Sequence, residues 1–145
     1  MSDRIKVLFV CVHNAARSRI AELYLKRLGG SKFEVTSAGF EPQEVNPLVI
    51  EVMQLADVPI ATTHKQPSVF ELYQVGRIFD YVISVCDEAQ GQKCPIFPGV
   101  SKRLSWSFPD PSEFTGSHHE KLVNVVAVRN AIRARIELWL QELSH

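Results

Sequence analysis

The residues whose types and spacing predict chemistry lie near the start of the chain, in the segment Cys-Val-His-Asn-Ala-Ala-Arg-Ser at 11–18. Five residues separate Cys11 from Arg17, between an apolar run and a helical pattern. An arc of this length that turns into a helix can point successive backbone N–H groups inward as an anion-binding nest, and the helix dipole adds to it. A guanidinium can hold two oxygens of a tetrahedral oxyanion. The spacing therefore predicts an oxyanion-binding loop made of Val12, His13, Asn14, Ala15, Ala16, Arg17 and Ser18.

Cys11 is the predicted nucleophile of this loop. The backbone N–H groups and the helix dipole that attract an anion also favour a thiolate, since cysteines at helix N-termini ionise more readily. We expect Ser18 to donate its hydroxyl to that thiolate, Asn14 to brace the loop through its amide, and His13 to shape the loop or face solvent. The alternative is a chance spacing in which Cys11 is merely buried. The position between a strand and a helix favours the oxyanion loop.

Hydrophobic periodicity predicts strands that alternate with helices along the chain. Short apolar runs typical of strands occur at residues 5–10, 33–37, 80–85 and 104–106. Helical spacing occurs at residues 18–28, at 47–56, from Pro67 to near Gly76, and after a capping box at Ser117 and Glu120. This order indicates an α/β fold, with a parallel sheet flanked by helices on both faces.

The predicted sheet brings distant reactive residues together. Cys11 follows the first strand, Cys86 follows the third, and Asp110 follows the fourth. The carboxyl ends of parallel strands share one edge, which is where such sheets bind ligands. We therefore expect these side chains at one edge of the sheet.

Composition excludes several classes of protein. The 145 residues predict one domain over 1–145, and 16 basic against 16 acidic residues give no net charge for binding nucleic acid. The apolar run near the N-terminus is short and interrupted by Lys6, unlike a signal peptide, and no run reaches the roughly 20 residues that span a bilayer. Three cysteines fit a disulfide-stapled secreted domain poorly. We therefore expect a cytoplasmic protein with no nucleic-acid or membrane partner.

At these residues the chain resembles the low-molecular-weight protein tyrosine phosphatase superfamily and, within it, the thioredoxin-coupled arsenate reductases. The matching residues extend over nearly the whole chain. They are CVHNAARS at 11–18, Glu22, SAG at 37–39, NP at 46–47, WSFPDP at 106–111, and Cys94-Pro95. The resemblance implies a four-stranded parallel sheet flanked by helices.

The resemblance also implies a reaction, the reduction of arsenate to arsenite without a cofactor. It implies that Cys11 attacks arsenic, with Arg17 holding the adduct and Asp110 as the general acid. Cys86 then attacks Cys11, and Cys94 resolves that disulfide for reduction by thioredoxin. A thiol pair supplies the two electrons by becoming a disulfide.

Other functions remain open at this point. A low-molecular-weight tyrosine phosphatase needs only Cys11, Arg17 and Asp110, although Ser112 stands where such phosphatases typically carry a tyrosine that stacks on the substrate ring. A zinc site built from the three cysteines and five histidines lacks the short cysteine spacing of structural zinc sites. A regulatory oxyanion-binding module without turnover is a further alternative, and the intact set of reactive residues disfavours it.

Some members of the superfamily bind potassium beside the loop through an Asn, a Glu, a Ser and an Asp. Asn14, Glu22 and Ser37 match the first three residues. The fourth position falls near Gln66-Pro67, where no carboxylate is present. The resemblance therefore implies at most a weak potassium site.

Overall fold

A computed structural model describes residues 4–14, 16–60, 66–85 and 102–144 of the chain. Three residues with predicted roles, Ala15, Cys86 and Cys94, lie outside the described residues.

The sheet has four strands, and every neighbouring pair is parallel. The strands are β1 (Ile5–Cys11), β2 (Phe33–Gly39), β3 (Tyr81–Ser84) and β4 (Lys102–Ser105). Their order is β2-β1-β3-β4. β2 therefore pairs with one edge of β1, and β3 pairs with the opposite edge. This reversal of strand order makes a topological switch point at the carboxyl end of β1.

Four α-helices connect and follow the strands. They are α1 (Arg17–Gly29), α2 (Pro47–Leu55), α3 (Val69–Gln74) and α4 (His118–Leu143). Asn46, before the Pro47 that opens α2, is the cap expected of an Asn-Pro pair: its side chain accepts a hydrogen bond from the Leu48 N–H at 2.9 Å. The capping box of α4 is confirmed, with both hydrogen bonds between Ser117 and Glu120 present.

Two predicted boundaries are wrong. α3 begins at Val69, two residues after Pro67, because the Ser68 hydroxyl caps it by accepting a hydrogen bond from the Glu71 N–H at 3.0 Å. β4 starts two residues earlier than predicted and ends before Trp106. The side chains of this edge strand are mostly exposed, so apolar patterning gives a poor measure of its bounds.

Alternate residues of β1 enter two separate cores, as expected for a strand covered on both faces. Val7 and Phe9 pack with buried residues of α1, α2 and α4 in the larger core. Leu8 and Val10 pack with Val69 and other buried residues around α3 in the smaller core. The prediction of helices on both faces is confirmed. No helix among the described residues is long and apolar enough to cross a membrane.

Candidate active site

The predicted nucleophile ends a central strand of the sheet. Cys11 is the last residue of β1, is 4% exposed, and lies opposite Gly39 in the β1–β2 register. Six residues later Arg17 begins α1. The predicted strand–loop–helix unit is therefore present, with Cys11 at the end of the strand and Arg17 at the start of the helix.

Asn14 braces the loop, as predicted. It is fully buried, its φ of 53° lies in the left-handed region, and asparagine tolerates that region better than most residues. Its side-chain Oδ1 accepts a hydrogen bond from the Ser18 hydroxyl at 2.5 Å. The amide thus bridges the middle of the loop and the first turn of α1.

The role predicted for Ser18 is wrong. A serine hydroxyl carries one proton to donate, and Ser18 donates it to Asn14 and not to the Cys11 sulfur. Ser18 therefore stabilises the shape of the loop.

Arg17 and Asp110 lie next to each other. Arg17 is 3% exposed; its Nη1 donates to the Phe108 carbonyl at 3.0 Å, and its Nη2 lies 3.5 Å from Asp110 Oδ2. The other oxygen of Asp110 accepts a hydrogen bond from the Ser112 N–H at 2.9 Å. Residues 108–112 are therefore held against the oxyanion loop, with one carboxylate oxygen directed at the guanidinium.

These residues surround one pocket of about 430 Å³. Cys11, His13, Arg17 and Asp110 line it together with Ser112 and residues 43–47. Cys11 and Asp110, two of the three residues expected at one edge of the sheet, thus line the same pocket as Arg17. The third, Cys86, lies outside the described residues. The segment 43–47 was missed as a pocket wall, because the Asn46-Pro47 signal predicts a helix start and says nothing about the direction in which the preceding residues face.

His13 shapes the loop, in line with the prediction. Its ring Nδ1 lies 3.2 Å from the Glu41 carbonyl oxygen. The contact joins the oxyanion loop to the segment that follows β2.

The residues matched to a potassium site do not fit a potassium ion. Glu22 Oε1 accepts a hydrogen bond from the Ser37 hydroxyl at 2.6 Å, and Glu22 Oε2 binds Lys26 Nζ at 2.7 Å. Arg19 Nε lies 3.7 Å from the same carboxylate, and Asn14 Oδ1 is taken by Ser18. The cationic charge beside Glu22 therefore comes from the protein itself.

Burial lowers the pKa of the Arg19 guanidinium, and the nearby Glu22 carboxylate opposes that effect. The described ranges also contain no group of three or more His, Cys, Asp or Glu side chains arranged to hold a metal ion.

Comparisons with known proteins agree with this geometry. The family described as low molecular weight phosphotyrosine protein phosphatase matches residues 6–145. An arsenate reductase of Oceanobacillus iheyensis is 32% identical over 139 residues, which cover 96% of each chain.

Solved structures show the same fold in two kinds of enzyme. A thioredoxin-dependent arsenate reductase of Corynebacterium glutamicum superposes with a TM-score of 0.69 at 33% identity, covering 100% of this chain and 66% of that one. A tyrosine phosphatase of Erwinia amylovora has a TM-score of 0.75 but 18% identity, covering 97% of this chain and 93% of that one. The fold is therefore common to both, while the higher identities are to arsenate reductases. The chain belongs to the low molecular weight phosphotyrosine protein phosphatase family.

Proposed function

We propose that this protein reduces arsenate to arsenite, with Cys11 as the nucleophile and thioredoxin as the reductant. The observation that carries the proposal is the shared pocket, in which Cys11, Arg17 and Asp110 meet at the carboxyl edge of the sheet. The proposal takes residues 1–145 as one catalytic domain, working in the reducing cytoplasm.

Arsenate binding is assigned to the oxyanion loop and Arg17. The guanidinium of Arg17 is buried and lines the pocket, so its charge is poorly screened by water. Its contacts with Phe108 and Asp110 fix the plane of the fork before substrate arrives. A pre-oriented fork loses less entropy when it binds two oxygens of a tetrahedral anion.

The first step is nucleophilic attack on arsenic(V). The Cys11 thiolate forms a sulfur–arsenic bond, and one arsenate oxygen leaves as water after protonation by Asp110. Asp110 is suited to this role because its Oδ1 is held by the Ser112 N–H while its Oδ2 faces the pocket side of Arg17. A general acid must lie within hydrogen-bond reach of the leaving oxygen.

The second step supplies the two electrons. Cys86 attacks the Cys11 sulfur, the sulfur–arsenic bond breaks, and its electron pair stays on arsenic, which leaves as arsenite. Cys86 lies outside the described residues, but Val85 before it donates a hydrogen bond to the Val10 carbonyl at 3.1 Å. Since Val10 precedes Cys11, the chain leaves β3 beside the nucleophile, which supports this pairing.

The last step resets Cys11. Cys94 attacks Cys86, Cys11 leaves as a thiolate, and the dithiol of thioredoxin reduces the Cys86–Cys94 disulfide. A disulfide requires Cα atoms within roughly 7 Å. We predict that residues 87–97 rearrange between the two disulfides and bring the second one to the surface, where thioredoxin can attack it.

The alternative is a phosphatase that uses Cys11, Arg17 and Asp110. The pocket contains all three residues, so the geometry is compatible with phosphoryl transfer. Ser112 lines the pocket, and the described lining residues include no Phe, Tyr or Trp. His13 carries the one ring among them, so this lining offers little for stacking on an aryl group, which favours a small inorganic oxyanion.

The deciding experiment compares the two activities in the same preparation. Arsenate-dependent oxidation of NADPH is measured with thioredoxin and thioredoxin reductase, beside hydrolysis of an aryl phosphate. We expect NADPH oxidation to depend on both arsenate and thioredoxin and to exceed aryl phosphate hydrolysis. Efficient hydrolysis without arsenate-dependent oxidation would assign the chain as a phosphatase.

The relay has its own test in Cys94→Ser. This variant should release about one arsenite per protein molecule and then stop with a Cys11–Cys86 disulfide. Without Cys94 it cannot form the Cys86–Cys94 disulfide that thioredoxin would reduce. Mass mapping of the stalled protein identifies the linked peptides, and Cys86→Ser, which should form no such peptide, is the matched control. Sustained turnover of Cys94→Ser with thioredoxin would show that Cys94 takes no part.

A further inference from the structure

We infer that Gly39 is a positioning residue for the oxyanion loop, and that the absence of a side chain there lets residues 40–43 hold the loop in its anion-binding shape. The inference rests on the proposed function, because it names a residue that shapes the proposed arsenate cradle without touching arsenate.

The space beside Gly39 is filled by the backbone of the loop. A Cβ atom at residue 39 would lie 2.8 Å from the Val12 carbonyl oxygen, 2.9 Å from the His13 carbonyl carbon and 3.0 Å from the Asn14 nitrogen. All three are main-chain atoms, which cannot turn aside as a flexible side chain does. Gly39 is not among the residues with positive φ, so space and not backbone conformation requires a glycine here.

The close approach lets backbone hydrogen bonds continue past the end of the β1–β2 ladder. The Phe40 N–H donates to the Cys11 carbonyl at 3.3 Å, the Glu41 N–H to the Val12 carbonyl at 2.8 Å, and the Gln43 N–H to the His13 carbonyl at 2.9 Å. The contact of the His13 ring with the Glu41 carbonyl adds a fourth link. Three successive carbonyls of the loop are thus held toward residues 40–43.

The orientation of these carbonyls determines where the loop's donors point. In a trans peptide the N–H of one residue points opposite to the carbonyl of the residue before it, and the described residues contain no cis peptide bond. The N–H groups of residues 12, 13 and 14 are therefore turned away from residues 40–43. An anion-binding nest needs its donors turned away from other backbone partners in this way.

A side chain at residue 39 would push against these peptide groups. The loop would have to move outward by several tenths of an ångström or more, or the hydrogen bonds from residues 40–43 would have to break. Either change turns the backbone N–H groups away from the bound anion. The Cys11 and Arg17 side chains themselves are still present.

The test uses phosphate as the probe and compares two glycine variants. Gly39→Ala crowds the loop, whereas Gly29→Ala is the matched control, with a Cβ that would meet the Phe33 ring at 2.5 Å. Phe33 starts β2 and Gly39 ends it, so the clash at Phe33 lies about 20 Å from the loop. Phosphate affinity is measured by calorimetry on the reduced proteins, and alkylation of Cys11 by iodoacetamide is followed by peptide mass across a range of pH.

We expect Gly39→Ala to bind phosphate at least about tenfold more weakly, which corresponds to losing one or more hydrogen bonds to a charged group. Its Cys11 should also need a higher pH for the same alkylation rate. Gly29→Ala should match wild type in both measurements even if its urea midpoint falls. Equal phosphate affinity and equal alkylation profiles in Gly39→Ala and wild type would overturn the inference.

A second measurement covers the outcome that Gly39→Ala does not fold. Amide hydrogen exchange of Glu41 and Gln43 is measured in wild type with and without phosphate, and phosphate should slow exchange at both if these bonds hold the anion-bound loop. Unchanged exchange would overturn the inference. Failure of wild type to bind phosphate, with no protection of Cys11 from alkylation, would instead remove the proposed function itself.

Discussion

Arg17 and Arg19 are two buried arginines in the first turn of α1, with exposures of 3% and 5%. Residues two apart on a helix do not share a face, and the two side chains have different surroundings. Arg17 contacts the Phe108 carbonyl and the Asp110 carboxylate at the wall of a pocket. Arg19 contacts Glu22, which also binds Lys26 and Ser37.

The difference shows that burial alone does not identify a functional charge. Glu22 lies between the chain's own cations and a hydroxyl, so Arg19 belongs to a closed ionic cluster. Arg17 faces a pocket in which a tetrahedral anion has room beside it. Of the two guanidinium groups, that of Arg17 lines the pocket, and that of Arg19 lies beside Glu22, which links α1 to Ser37 of β2.

The largest expected effect separates chemistry from binding at the pocket. Cys11→Ser should lose arsenate reduction entirely, because a serine hydroxyl in this loop is not ionised and is a far weaker nucleophile. It should still bind phosphate, since Arg17 and the loop remain. Circular dichroism verifies folding. Substantial turnover by a folded Cys11→Ser protein would contradict the assignment of the nucleophile.

The next effect tests the two arginines directly. Arg17→Lys keeps the charge but loses the planar fork, so kcat/KM for arsenate should fall by about 100-fold or more, as when an oxyanion donor is removed. Arg19→Lys is the matched control and should leave kcat/KM nearly unchanged. Steady-state kinetics on both variants makes the comparison, and equal losses in the two would show that the pocket does not distinguish them.

A smaller effect is expected on stability from the closed cluster. Glu22→Gln removes the anionic partner of buried Arg19 and should lower the free energy of unfolding by roughly 1–3 kcal/mol. Glu137→Gln, which breaks the exposed pair with Arg133 at 3.8 Å, should cost less than about 1 kcal/mol. Urea denaturation measures both variants. Equal stability losses would show that the Glu22 cluster behaves as a surface pair.

The smallest expected effect is none at all. Replacing potassium by sodium at constant ionic strength should leave kcat and KM for arsenate unchanged, because Lys26 and Arg19 already neutralise Glu22. The assay is the coupled NADPH oxidation with both chloride salts. Activation specific to potassium would show that the ion displaces one of these side chains.

The core of the site is predictable because its signals are local. A cysteine and an arginine with five residues between them, placed between an apolar run and a helical pattern, predict a strand–loop–helix unit with an anion site. Asp110 is found through its position after the last strand and through the family's WSFPDP segment. Parallel pairing then brings these residues to one edge, where the structure places them around one pocket.

Other features depend on contacts that the sequence does not encode locally. The sequence does not show which acceptor the Ser18 hydroxyl uses, and in the fold it donates to Asn14 Oδ1. The sequence presents Arg19 as an ordinary charged residue of a helix, and its burial beside Glu22 follows only from the fold. The exposed β4 carries too little apolar pattern to show its start.

By itself the sequence determined the α/β class and the loop from Cys11 to Arg17, because hydrophobic period and motif spacing act over a few residues. Only the tertiary structure decided the rest. Gly39 touches the loop because β2 pairs with β1, and residues 43–47 form a wall of the pocket. Glu22 of α1 accepts a hydrogen bond from Ser37 because α1 packs against β2. Each of these contacts joins separate elements, and the distance between such elements follows from how the strands and helices pack together.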